Sequence, residues 1–150
     1  MNDIGLFFCD KAFDLVVEAD DLKADDGLET SVAISVFTDK RVDDEDLPDL
    51  ETSKRGWWGD MFPEFPNDQI GSRLWLINRE KTTTETLRRS EDYIVESLNW
   101  MLEDGVAKDV NASSVYNENN WLISAVEIEK PDGESTRFQI NWEQQEIRRQ

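Results

Sequence analysis

Histidine is absent from this chain, and cysteine occurs once, at Cys9. Without His, a Ser-His-Asp triad and a Cys-His pair are both excluded. Zinc sites built on His and Cys are excluded for the same reason. A single Cys cannot form a disulfide within the chain, and in "LFFCD" it reads as a small apolar filler in a strand. The glycines are too scattered to form a phosphate loop. No apolar run approaches the roughly 18 residues that a membrane helix needs, so no membrane contact is expected. The opening "MNDIGLFFCD" has neither a basic n-region nor a long apolar run, so no signal peptide is expected and a cytoplasmic product is read. Bases are scarce: 16 Lys and Arg stand against 34 Asp and Glu, a net charge of −18. Phosphate recognition rests on Lys and Arg, so direct binding to nucleic acid is not expected.

The acid is densest early. Residues 1–60 hold 17 acids and 6 bases, and residues 61–150 hold 17 acids and 10 bases. The runs "EADDLKADD" and "DDEDLPDLE" read as solvated acidic loops at about 18–26 and 42–52. "DDEDLPD" offers oxygen ligands but lacks the EF-hand spacing and its Gly, so no metal or other cofactor is expected. Paired carboxylates remain as possible chemistry, yet 34 acids guarantee that some pair meets a glycosidase spacing by chance. Only Glu64, between Pro63 and Phe65, stands in an apolar setting. Arg73, Arg79, Lys81, Arg88 and Arg89 form a local basic cluster, whose simplest partners are the chain's own acidic segments. A charge-complementary interface is the alternative use of that cluster.

What the chain does have is apolar mass: 38% hydrophobic residues, with six Trp and seven Phe. Its 150 residues suit a single domain, which buries roughly 70% of its unfolded surface without staples. Residues 4–9 and 12–17 read as two short strands forming a hairpin, and 18–26 as a linker. Apolar residues four apart from Leu28 to Phe37 predict an amphipathic helix over 28–37, capped by Asp25 or Asp26. A helical turn is expected at Leu74 to Ile77. The spacing of Leu87, Ile94, Leu98, Met101 and Leu102 predicts a long helix over 83–104. Its start is read as a capping box ending on Glu85, and Gly105 suits its left-handed end. Strands follow at 106–116, 121–130 and through "ESTRFQINWEQQ", with a "PDG" turn between the last two. The tail "EQQEIRRQ", 143–150, is expected to be frayed or ordered by a partner. The class is α+β: N-terminal short strands and a helix, a long loop, then a long amphipathic helix packed on a C-terminal three-stranded antiparallel meander.

The long loop holds an anomaly, "SKRGWWGDMFPEF". Trp57, Trp58, Met61, Phe62 and Phe65 crowd into a segment broken by Gly and Pro, and long loops in compact proteins tend to be functional. One of the two tryptophans is expected to plug the fold, while Met61 to Phe65 meet a neighbouring protein.

Taken together, "GLETSVAISVFTDKR", "RGWWGD", "GSRLWLINREKTTTETLRRSEDYIVESLNWMLEDGVA" and the "PDG" hairpin resemble the Mu-like bacteriophage baseplate protein family, the phage Mu protein 46 family. The resemblance runs in order over about residues 3–142. It implies a small wedge subunit of a contractile tail, related to the subunit called lysozyme-like or the sheath initiator. Such a subunit clamps the helical core bundle of the wedge and offers strands on which the first sheath ring assembles. The broader wedge family carries a Glu-Pro-Arg motif after its long helix; here the place reads Glu103-Asp104-Gly105, which keeps the Glu. Thr38 and Arg41 match that family's Thr and Gly-Glu-Arg run best.

The expectation is therefore a non-enzymatic structural subunit in the virion tail baseplate, made in the host bacterial cytoplasm and present in several copies. Its partners would be other baseplate wedge proteins and the tail sheath protein. The expected interface residues are Trp57, Trp58, Met61, Phe62, Phe65, Arg41, Glu103, Phe138, Ile140 and Trp142. A peptidoglycan-cleaving hydrolase using Glu64 and Glu103 is one alternative, and an acidic decoy that mimics DNA is another.

Overall fold

The computed structural model of the protein describes residues 3–9, 12–25, 27–49 and 51–150. Asp26 lies outside them, as do the side chains of Phe8 and Cys9. The architecture is α+β, with two helices against a four-stranded antiparallel sheet and a set of short ribbons at the N-terminus.

The described residues up to Asp25 fold as three two-stranded antiparallel ribbons. Strand β1 (Asp3–Ile4) pairs with β6 (Ala24–Asp25), β2 (Leu6–Cys9) with β3 (Ala12–Leu15), and β4 (Val17–Glu18) with β5 (Asp21–Leu22). The single residues between ribbons hold them together. Gly5 N–H donates to Lys23 O (2.7 Å), Lys23 N–H to Val16 O (2.8 Å), and Val16 N–H to Gly5 O (3.5 Å). These bonds close a ring at the junction. The reading of 18–26 as a linker is corrected here. Ala19 and Asp20 both adopt positive φ (50° and 66°), the handedness that closes a tight hairpin, so this acidic run turns instead of trailing.

Helix α1 (Glu29–Phe37) follows, and Asp25 holds its start: Oδ2 accepts from Thr30 N–H (2.7 Å) and Oδ1 from Gly27 N–H (2.8 Å). Thr30 ties the ribbons to the helix, since its hydroxyl donates to Ile4 O (2.9 Å). Helix α2 (Thr84–Glu103) begins one residue later than the capping-box reading places it. Thr83 is the N-cap, its hydroxyl accepting from Thr86 N–H (3.2 Å), so Thr86 and not Glu85 stands at the third position. Gly105, at φ 70°, ends the helix as expected.

The sheet has the order β10-β9-β8-β7, with β7 (Asp109–Tyr116), β8 (Leu122–Glu129), β9 (Ser135–Asn141) and β10 (Glu146–Arg149). Its inner face is set by register: Val110 lies opposite Ile128, Ala112 opposite Val126, and Val126 opposite Phe138. On β8, Val126 and Ile128 face inward, while Ile123 and Ala125 take the outer face. The tail forms a fourth strand where fraying was expected, because Ile147 lies opposite Ile140 and buries its side chain. Val32, Val36, Leu74, Ile94, Leu98 and Met101 meet this face to complete the core.

Phe138 is fully buried on β9, whereas Val115 is 59% exposed on β7. Phe138→Ala should lower unfolding free energy by about 3–5 kcal/mol through transfer and cavity terms. Val115→Ala should change it by under about 0.5 kcal/mol. Urea denaturation of both variants checks the assigned inner face.

Candidate partner interface

The connection from Thr38 to Thr83 contains little regular structure, yet three of its segments converge. Thr38–Arg41, Arg55–Asp60 and Gly71–Trp75 are distant in sequence and adjacent in space. Ser72 is the join to α1: its N–H donates to Thr38 O (2.9 Å), its carbonyl accepts from Lys40 N–H (2.9 Å), and its hydroxyl donates to Val36 O (2.6 Å). Gly71, at φ 105°, permits this approach, since a Cβ there would lie 2.5 Å from Thr38 O. Trp75 is buried, and its Nε1–H donates to Lys40 O (2.9 Å). Arg55 lies over the Trp75 ring at 4.5 Å and pairs with Asp39 at 2.7 Å, so it anchors the tryptophan segment to both others.

Glu96 of α2 fastens the same connection to the long helix. It accepts from Lys40 Nζ at 2.9 Å, and from Arg73 Nε and Nη2 at 2.9 and 2.6 Å. Arg73 also lies over the Tyr93 ring at 4.6 Å. Burial pushes the Glu96 carboxyl up, but hydrogen bonds and charge from Lys40 and Arg73 outweigh it and hold the pKa below its ordinary 4.5. Of the basic cluster expected to neutralise the acidic runs, Arg73 works here instead. Arg73 reaches Asp46 of an acidic run only at 3.9 Å, and Arg89 pairs with Glu80 at 2.5 Å.

On this clamped base the aromatic segment faces outward. Trp57, Trp58, Met61, Phe62 and Phe65 are 47%, 73%, 72%, 78% and 65% exposed. The expectation that one tryptophan plugs the fold is therefore corrected: a different indole, that of Trp75, fills the core. Trp57 and Trp58 contact each other, with ring centroids 5.4 Å apart. Trp57 folds over Gly59, where any Cβ would collide with the indole. A 3-10 turn over Trp58–Met61 and the bond from Ile70 N–H to Asp60 Oδ1 (3.2 Å) fix the segment's course.

The turn, α1 and α2 enclose a groove of about 570 Å³. Ile34 and Trp100 form the helical wall, and Trp57, Trp58 and Phe62 the loop wall. Trp100 Nε1–H donates to Ser35 Oγ (3.0 Å), which locks the wall between the helices. Sequence reasoning missed Trp100 and Asp60 as groove residues. Trp100 could have been found, because it widens the apolar face of α2 beyond what the sheet covers.

The remaining expected interface residues divide. Arg41 is exposed beside the aromatic segment, with its Nη1 3.4 Å from Arg55 O. Glu103 is exposed and accepts from Asn99 Nδ2 (2.6 Å). It lines a neighbouring depression, and Glu64 lines the tryptophan groove. Phe138, Ile140 and Trp142 are corrected from interface to core, at 0%, 1% and 8% exposure. Their alternation points them at the helices, and Phe37 stacks on Trp142 with centroids 5.9 Å apart. Among the described residues, no three acids or cysteines gather to hold a metal ion, and no helix is long and apolar enough to cross a membrane.

The geometry defines a small α+β protein that presents a clamped, outward-facing aromatic loop beside its helices. The family described as Phage protein GP46 matches residues 28–135, and the chain belongs to it. It is 39% identical over 134 residues to the baseplate protein gp46 of Escherichia phage Mu, across 89% of this chain and 90% of that protein. It is 36% identical over 146 residues to the Mu-like prophage FluMu protein gp46 of Haemophilus influenzae, across 95% and 98% respectively.

Glu96→Gln tests the clamp. With a depressed folded pKa, the Glu96 contribution is present above the ordinary carboxylate range and is lost as pH falls through the folded value. The variant should lose about 1–2 kcal/mol at neutral pH, allowing for solvent screening, and the deficit should vanish in acid. Denaturation at neutral pH and at successively lower pH through the acid range measures both arms.

Proposed function

We propose that this chain is a structural subunit of a contractile-tail baseplate, held by its neighbours through the aromatic loop. The observation that carries the reading is the outward set Trp57, Trp58, Met61, Phe62 and Phe65 on a base clamped by Ser72 and Glu96. An unpartnered protein gains nothing from holding that much apolar surface rigidly in water. Exposed tryptophans of this kind are the anchors that dominate binding energy at protein interfaces. The name of the phage Mu relative, a baseplate protein, supports the location.

In this reading the subunit joins the wedge core to the first sheath ring, in several copies around the tail, and performs no catalysis. The loop meets another wedge protein. An outer strand of the sheet, β7 or β10, takes the sheath contact, since each has one strand neighbour among the described residues. The exposed acids Glu64 and Glu103 then serve the surface and not hydrolysis.

The double variant Trp58→Ala, Phe62→Ala separates surface from core. Both side chains are mostly exposed, so its unfolding free energy should stay within about 0.5–1 kcal/mol of the parent. Complementation of a phage lacking the gene should nevertheless give few or no assembled tails. Normal yields of infectious particles would contradict the proposal. Cell-wall clearing by the parent that disappears in Glu64→Gln or Glu103→Gln would replace it with the hydrolase reading.

A further inference from the structure

Asp60 carries a physical cost that the fold does not explain. Its Oδ1 accepts from Ile70 N–H, but Oδ2 is buried and, among the described residues, has no hydrogen-bond partner. A buried acceptor left unpaired destabilises the protein that carries it. An asparagine would keep the Oδ1 bond without the charge. Asp60 lines the tryptophan groove together with Asp3, Glu64 and Asp68, and no Lys or Arg lines it among the described residues. The groove is thus apolar on its walls and acidic in its polar positions.

We propose that this groove receives a segment of a neighbouring tail protein in which a Lys or Arg side chain stands beside an apolar one, the cation pairing with Asp60. This deepens the baseplate reading and rests on it for the identity of the neighbour. The apolar member of the segment lies against Trp58 and Phe62, which are 73% and 78% exposed and ready to be covered. The cation pairs with the groove's carboxylates, Asp60 together with the exposed Glu64 and Asp68, and the indole faces of Trp57 and Trp58 favour a cation beside them. Charge decides against the other occupants. A second copy of this chain, at net −18, would bring acid to acid. A nucleic acid would do the same.

The neighbour is captured in place by putting the photo-cross-linker p-benzoylphenylalanine at the position of Phe62, irradiating purified tails and sequencing the joined peptide. The expected peptide comes from another tail protein and carries a Lys or Arg close to the cross-linked position. Asp60→Asn in the same background should lower cross-linking about tenfold, the loss of one charge-assisted hydrogen bond. Its melting temperature should be little changed, because the Ile70 bond is kept and one unpaired buried polar atom replaces another. If that variant folds poorly, the exposed pair Glu64→Gln, Asp68→Asn provides the same reading without touching the Ile70 bond. Cross-linking to an acidic or uncharged segment, or to a second copy of this chain, overturns the proposal. So does a yield that the neutralised variants leave unchanged. Absence of the parent chain from purified tails overturns the baseplate reading instead. Irradiation of whole cells then judges the groove by the same two criteria, charge in the joined peptide and loss on neutralisation.

Discussion

Everything outward in this protein depends on how the connection between the two helices is closed. Some forty-five residues with little secondary structure must leave α1 and return to α2 without stranding their backbone groups. Ser72 meets that demand at one point by bonding Val36, Thr38 and Lys40, and Gly71 makes the approach sterically possible. Glu96 meets it at a second point by taking both Lys40 and Arg73. The two clamps share Lys40 and adjacent residues 72 and 73, so they act as one unit. Its consequence is a rigid platform for a segment with almost no core contacts of its own.

That platform separates two populations of aromatic residues. Trp75, Phe138 and Trp142 are buried and stabilise the fold. Trp57, Trp58, Phe62 and Phe65 are exposed and contribute little to it. Apolar burial stabilises by about 25 cal/mol per Å² whichever protein supplies the cover, so the exposed set would contribute only on being covered. The net charge of −18 acts in the same direction, since it discourages copies of the free chain from meeting through these patches.

Much of this was legible in the sequence, for identifiable reasons. Helix α2 announces itself because its apolar residues recur at helical spacing for about four turns and Gly105 ends them. The β8 and β9 strands are bounded by a strong turn, and period-two alternation marks Phe138 and Ile140. The same alternation cannot say whether the apolar face meets the chain's own helices or a partner, which is why those residues were assigned outward. The ribbons over 17–25 escaped because their strands are two residues long and acidic, and backbone bonds at Gly5, Val16 and Lys23 organise them. The tail escaped because a single residue, Ile147, commits β10 to the core. For the candidate site, the aromatic segment was legible by composition. Which tryptophan turned inward was not, since the occupant of the core, Trp75, stands in another segment that converges only in three dimensions.

On the proposed function, the aromatic surface that is open in the free protein is covered in the tail. Oxidative footprinting at residue resolution tests this directly, by comparing Trp58 and Met61 in the isolated chain and in purified tails. Both residues should label fast in the isolated chain and be strongly protected in tails, with Trp75 slow in each state. Equal labelling of Trp58 and Met61 in the two states would contradict it.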